Sequence, residues 1–320
     1  MSIRPTLTAK AGALAVAAVI ALGACSTVTE TASDTSVTDR TVTEAEASTA
    51  SGSAAAVSQS GASASTELSA GTYTATVEGT EIAYQAAYLV DGIDVVIDGG
   101  TYEASDADEV VFLVVNGGSL TITDATVSKS GDATSTDAER TADVSDDYNF
   151  YGMNSAIVVV GDGSSVTIDG TTITTSANGA NAVIAVDGGT ADVTNTSITT
   201  TEDSSRGLHA TYGGTITGAN LTIDTAGAHS AAVATDRGGG TVTVTGTNTF
   251  NTAGDGSPLV YSTGEIMVSG VTGAAETSEV VVVEGKNTAT IVDSDVTSID
   301  EHALMIYQSM SGDAADSDAA

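Results

Sequence analysis

The chain of 320 residues has no tryptophan, one cysteine, two prolines, three histidines and twelve aromatic side chains (9 Tyr, 3 Phe). Each shortage excludes something. One cysteine cannot form a disulfide within the chain. With aromatic residues at 4%, a core of large rings is excluded, and the interior must come from Val, Ile, Leu and Ala. Lys and Arg number 8 against 42 Asp and Glu, a net charge of −34. Nucleic-acid binding needs cations clustered opposite phosphates, so this balance argues against it, and against docking on an anionic bilayer through a basic face. The charge favours solubility, cations and basic partners. Long apolar runs are scarce too. The longest, AGALAVAAVIALGA at 11–24, is short for a membrane-spanning helix.

That run has a context. Arg4 and Lys10 precede it and Cys25 follows at once. A charged start, a short apolar stretch and small residues before the cut describe a secretory signal peptide over 1–24. Leu22-Gly23-Ala24-Cys25 resembles the lipobox of bacterial lipoproteins. The resemblance implies cleavage before Cys25 and lipid attached to its sulfur and new N-terminus. The expected location is then the bacterial cell envelope, secreted and lipid-anchored, surface-exposed or periplasm-facing, with the membrane as partner through buried acyl chains. Residues 25–68 continue with Ser, Thr, Ala and acids and show no apolar periodicity, the composition of a disordered tether. Its reach as a flexible coil is about 35 Å.

From about Leu68 the pattern changes. Short apolar runs alternate with period two, the signature of strands, and no convincing helical segment appears. The phrase VDGGTADVTNTSITTT (186–201) returns as TYGGTITGANLTIDTA and DRGGGTVTVTGTNTFNT. Glycine corners fall at Gly118, Gly163, Gly189, Gly214, Gly239 and Gly264, at steps of 45, 26, 25, 25 and 25. Before each corner lies a compact apolar run such as EVVFLVV (109–115), NAVIAV (181–186) or HALMIY (302–307). After it comes a Thr-rich stretch whose apolar positions sit two apart and then skip a turn, as Leu120, Ile122 and Val127 do. A unit of this length, with two or three short strands and tight corners, is one coil of a solenoid. Small inward residues stack on their equivalents in adjacent coils, and the backbones pair about 4.8 Å apart. A β-sandwich is the competing fold, but its turns would not recur at so constant a register.

The period and strand pattern resemble the right-handed parallel β-helix superfamily, which includes pectate-lyase-like enzymes, autotransporter passengers and adhesin-like surface proteins. The resemblance covers roughly 69–308. It implies an all-β fold, a right-handed parallel β-helix of about nine coils of about 25 residues, some 45 Å long. It speaks to architecture far more than to function. The step of 45 leaves a surplus, SGDATSTDAERTADVSDDYNF (130–150), read as an insertion at about 130–153 that leaves one corner; insertions on solenoids mark candidate working faces. The tail, 309–320, is polar and brings no cap, and the expectation is a disordered or truncated end.

The residues that carry chemistry are few. Polygalacturonase-like members of the superfamily combine several Asp with His, Arg and Lys, and pectate-lyase-like members use a Ca²⁺ cluster and a basic residue. No Asp-Asp beside a His-Gly and no Arg-x-Lys occurs here, nor a Walker loop, a GxSxG elbow or an HExxH motif. No catalytic residue is assigned. Arg206, His209, His229 and Arg237 fall in neighbouring coils, but their spacings do not match one register. They read as scattered corner residues, with His209 half-buried or solvent-facing, rather than as a patch for an acidic sugar. The end of the insertion, Asp146, Asp147, Tyr148, Phe150 and Tyr151, is the best local candidate. Tyr148 and Tyr151 beside the carboxylates of Asp146 and Asp147 form a sugar-stacking candidate, while the plainer reading has the aromatics pin the loop onto the solenoid. The acidic clusters Asp106-Ala107-Asp108-Glu109 and Asp293-Ser294-Asp295 invite weak Ca²⁺ binding, though solvated charge accounts for them equally. No other cofactor is expected. Rows of Thr are broken by Asp, Asn and Gly, and β-propensity explains them without an ice-binding role.

The expected function is a cell-surface lipoprotein that displays a β-helix for binding or adhesion, to carbohydrate or to a host or matrix surface. The alternatives are a polysaccharide-active lyase or hydrolase with an unrecognised site, and a structural envelope spacer.

Overall fold

The computed structural model describes residues 68–135 and 143–308. The signal peptide, Cys25, the tether up to Glu67 and the tail from Ser309 lie outside the described residues.

Each repeat folds into three strands, the upper of the two numbers expected. The phrase that opens at Val186 belongs to the coil Val183–Val186, Thr190–Thr194 and Ser197–Thr200. The next coil repeats it as Leu208–Thr211, Gly214–Ala219 and Thr222–Thr225. From coil to coil the pairing is parallel: Val183 opposite Leu208, Thr190 opposite Thr215, Ser197 opposite Thr222. The offset of 25 is therefore one turn of the solenoid. Three sheets run its length: a first of ten strands, and a second and third of eight each. Together they make about nine coils. The competing sandwich is excluded by these all-parallel, next-coil ladders. The first sheet begins with an antiparallel hairpin, Gly71–Val77 with Thr80–Asp91, whose first strand forms the end of that sheet.

The double glycines do two different jobs. At the corner between first and second sheets, Asp187 and Gly188 both take positive φ (53° and 79°), which glycine and Asp or Asn tolerate best. Gly189 does not; it is there for space. A Cβ on Gly189 would lie 2.4 Å from the Val159 carbonyl oxygen of the coil below, and one on Gly214 would lie 2.1 Å from that of Ala185. The next corner turns on a single left-handed residue: Asp124, Asn195, Asn220 or Asp293, with φ between 49° and 58°. At the third corner, serines fill the gap between coils. Ala180 N donates to Ser205 Oγ (3.0 Å), Ser205 N to Ser230 Oγ (2.9 Å) and Ser230 N to Ser257 Oγ (2.8 Å).

Inside, columns of like residues stack. Ile157, Val183, Leu208 and Val233 form one; Val127, Ile173, Ile198, Ile223 and Phe250 another, and all are buried. Val193 and Ile198, the predicted inward positions of the repeated phrase, have no exposed surface. Each such side chain contributes roughly 1.5–3 kcal/mol when withdrawn from water. Larger rings gather at the hairpin end, where Tyr88, Tyr102 and Phe112 pack with centroids 5.1–5.3 Å apart.

The first sheet is covered on its outer side as well, which explains its unbroken apolar runs. Val158, Val160, Ile184 and Val186 pack beneath Ala75, Val77, Ile82 and Tyr84 of the hairpin and Tyr151 of the insertion. The expectation of no helical segment from about Leu68 onward is corrected here. The insertion carries a short one, Asp146–Tyr151, which ends at Gly152 with φ 72°. Six residues are too few to show a helical period, and its buried face is fixed by packing instead.

Candidate functional site

Two places break the regular surface. The first is the insertion on the outer face of the first sheet. Lys129 leads into it. This lysine is buried, and its Nζ donates to the carbonyls of Asp106 (2.9 Å), Gly131 (2.8 Å) and Ser130. Burial pulls its pKa down to about 8. Asp108 holds the next stretch, accepting from Thr134 N (2.9 Å) and from the Thr134 hydroxyl.

The helix is then pinned from below. Tyr148, Asn149, Phe150 and Tyr151 are buried, and Asp146 and Asp147 are exposed. Tyr151 stacks on Tyr212 at 5.1 Å and 3° between planes, and the Tyr212 hydroxyl donates to Tyr151 Oη (3.1 Å). Tyr84 donates to the Tyr151 carbonyl (2.8 Å). Burial, the bond to Tyr151 and its neighbouring charge raise the Tyr212 phenol above its usual range. Asn149 donates to Asp143 Oδ1 and to the Val144 carbonyl, each at 2.9 Å, and accepts from Arg206 Nη1 (2.9 Å). Ser204 Oγ also donates to Asp143 (2.7 Å). Burial pushes the Asp143 carboxyl up, but the bonds from Asn149 and Ser204, with Arg206 nearby, outweigh it and hold it below its ordinary value.

Arg206, His209 and Arg237 were expected to be scattered, and the structure corrects that. Arg206 Nη2 lies 3.5 Å and His209 Nε2 3.7 Å from the same Asp236 carboxylate oxygen. Arg237 reaches across 91 residues to Asp146 (2.7 Å), its guanidinium 4.0 Å above the Phe150 ring. His229 faces Asp143 closely enough to lower its pKa. The expectation for His209 is also corrected: it has no exposed surface, and burial lowers its pKa to about 4. Arg206 and His209 meet at Asp236 of the next coil, and Arg206 and Arg237 also reach the insertion, through Asn149 and Asp146, which lies outside the repeat. Asp143, Asn149 and Asp236, which complete the cluster, gave no sequence signal of their own. Every cation in it faces a carboxylate or amide of the protein.

The second place is a groove on the outer face of the third sheet. Thr199, Asp224, Asn251 and Ala274 stand in register on successive coils, and Asn251 Nδ2 donates to Asp224 Oδ1 (2.8 Å). Beside them the corner column reads Thr201, Ala226, Ala253 and Glu276. The small alanines open a groove of about 290 Å³, near the lower end of ligand-site volumes. Its walls offer hydroxyls, an amide and the carboxylates of Asp224 and Glu276; no Lys, Arg, His or Tyr lines it. These residues were missed because each is an ordinary outward position in its own repeat. Aligning the repeats at their glycine corners puts Thr199 and Asp224 in one column, each ten residues on, but leaves Asn251 two residues out of step; only the strand pairing brings it into register.

The molecule is thus a parallel β-solenoid with a pinned insertion on one sheet and, on another, a groove lined by threonines, alanines, an amide and two carboxylates. The chain matches no family model, no curated protein and no solved structure.

Proposed function

We propose that the protein is a binding solenoid of the bacterial cell surface, held through lipid on Cys25 and the linker of 25–68, and that it engages a carbohydrate or a matrix surface. The observation that carries this reading is the third-sheet groove. Its ladder of Thr199, Asp224 and Asn251 alternates donors and acceptors along the coil axis, the pairing a polyhydroxylated chain requires. No Lys, Arg, His or Tyr lines the groove to serve as the base of an elimination, which favours binding over a lyase reaction. The insertion supplies a second contact: Asp146 and Asp147 face solvent, and Tyr148 and Tyr151 support them from beneath.

The test is a glycan and matrix-protein array probed with the soluble chain. Asp224→Ala combined with Asn251→Ala is expected to weaken the strongest signal at least about tenfold, about 1.4 kcal/mol. Unchanged binding overturns the groove assignment. Release of reducing or unsaturated ends from a polysaccharide panel would replace the binding reading with an enzymatic one. For the anchor, Cys25→Ser is expected to abolish acyl labelling and release the protein; persistent membrane attachment refutes it.

A further inference from the structure

We propose that the third-sheet groove selects a glycan carrying free amines, a chain of de-N-acetylated hexosamine units, and turns acidic glycans away. The inference rests on the reading of that groove as a glycan site and adds the charge of what it takes. The charge on its walls has one sign, from Asp224 and Glu276, and among the described residues neither carboxylate pairs with a cation. Asp224 Oδ1 accepts from Asn251 Nδ2 (2.8 Å), which leaves Oδ2 open. Glu276 is exposed, and no group of the described residues donates to its carboxylate. Asp224 stands opposite Asn251, and Asn251 opposite Ala274, with Glu276 two residues on. The two carboxylates are therefore two coils apart, about 10 Å along the axis.

The independent observation is Thr252. It stands on the wall of the same groove, its exposure is 1%, and its hydroxyl has no hydrogen-bond partner. Thr200 and Thr225 precede it in the same column on successive coils, and both are satisfied. Thr200 Oγ1 donates to the Ser205 carbonyl (2.6 Å), and Thr225 Oγ1 donates to that of Ser230. The column loses this bond at Thr252, beside Asn251 and Ala253 of the groove. A buried hydroxyl without a partner costs free energy. A sugar hydroxyl seated against it is both donor and acceptor and removes that cost.

Together these features decide the class of ligand. A neutral sugar satisfies the hydroxyls but covers Asp224 and Glu276 without a counter-charge. A uronate brings a further carboxylate beside them, and like charges set against each other work as a rejection device. An ammonium gives each carboxylate a charge-assisted hydrogen bond, while hydroxyls of the same unit serve Thr199, Asn251 and Thr252. Ala226 and Ala253 leave room for the rings between them. A lysine-rich peptide brings the ammonium without the hydroxyls, so the threonine-lined wall favours the amino sugar.

The test titrates the full chain calorimetrically with short oligomers of glucosamine, N-acetylglucosamine and galacturonate. The glucosamine oligomer, below the pKa of its amines, is expected to bind at least about tenfold tighter than the N-acetylated one, and the galacturonate not at all. Asp224→Asn with Glu276→Gln keeps the shape, removes the charge and is expected to abolish that preference. Asp94→Asn with Asp98→Asn removes two exposed acids of the second sheet and is expected to keep it. Thr252→Val is expected to weaken the glucosamine oligomer without lowering Tm, because no group of the protein bonds to that hydroxyl. Equal affinity for the glucosamine and N-acetylated oligomers, lost in Asp224→Ala with Asn251→Ala, overturns the charge selection and leaves the glycan reading standing. No binding by the parent, or binding unchanged in that double variant, overturns the glycan reading too. Loss of the preference in the Asp94 and Asp98 variant would mean attraction to the acidic surface at large and would overturn the selection. A lysine oligomer that binds as tightly and competes for the groove overturns the sugar as its ligand.

Discussion

His209 Nε2 lies 3.7 Å from Asp236 Oδ2, too far for a hydrogen bond, and neither ring nitrogen of His209 has a hydrogen-bond partner. The imidazole is neutral and buried. It sits between Ile184 and Ala234 in the outer column of the first sheet, which continues to Tyr261.

This makes a pH dependence with a definite sign. Burial lowers His209 from 6.5 to about 4 in the folded chain. As pH falls below 6.5 the unfolded chain takes up the proton and the folded one does not, so stability is lost between about pH 6.5 and 4. The loss attributable to this side chain is about 3 kcal/mol. His209→Leu is expected to remove that part of the slope. Urea midpoints of parent and variant at pH 7 and pH 4.5 check it: equal differences at the two values would refute the assignment.

Lys129 donates to three carbonyls at the root of the insertion. Lys129→Met keeps the stem and strands those acceptors, with an expected cost of about 1–3 kcal/mol or more at pH 7. Between pH 8 and 10.5 the unfolded chain holds this proton and the folded one releases it. The parent should therefore gain stability relative to Lys129→Met as pH rises through that window. Denaturant titrations at pH 7 and pH 9.5 measure it.

The two kinds of glycine should respond differently. At Gly213 a Cβ meets nothing within 4 Å, and only its φ of +77° resists, so Gly213→Ala should cost about 1–2 kcal/mol and Gly213→Asn less. At Gly189 the φ is ordinary but the Cβ strikes the Val159 carbonyl. Gly189→Ala should cost about 2–3 kcal/mol or more through forced separation of two coils, and Asn should rescue nothing. Thermal melts of the four variants decide it.

The aromatic pins and the surface acids of the insertion separate in the same way. Tyr151→Ala removes the stack on Tyr212 and the acceptor of the Tyr212 hydroxyl, while the bond from Tyr84 to the backbone carbonyl remains, at an expected cost of about 3–5 kcal/mol. Asp146→Ala with Asp147→Ala removes exposed charges, one paired with Arg237, and should shift stability by less than about 1 kcal/mol. If binding to the array ligand falls in the second variant while its melting is unchanged, the carboxylates touch the ligand.

Much of the fold was legible because repetition compounds weak signals. Any single coil, such as 181–200, is ambiguous, but six glycine corners at near-constant spacing are not. The apolar runs before each corner became the strands of the first sheet. What the repeat could not show was anything outside it. The helix Asp146–Tyr151 owes its form to Tyr212, Arg206 and Tyr84, which lie up to 67 residues away. The register argument that dismissed Arg206 and His209 assumed that they would meet within the sheet; they meet at Asp236, under the insertion. Asp224, Asn251 and Glu276 carry no motif, and only the stacking of coils turns them into a groove.

The steric role of Gly189 and Gly214 has a consequence for how the chain can change in length. Each such glycine fits the carbonyl of the coil below, and nothing beyond it. Twenty-five residues cut or copied from corner to corner leave every remaining coil with the neighbour it needs. The solenoid is a ruler whose graduations can be added or deleted without redrawing the rest. Only the insertion, which spans several graduations at once through Arg206, Tyr212 and Arg237, fixes a length of the molecule that cannot be edited freely.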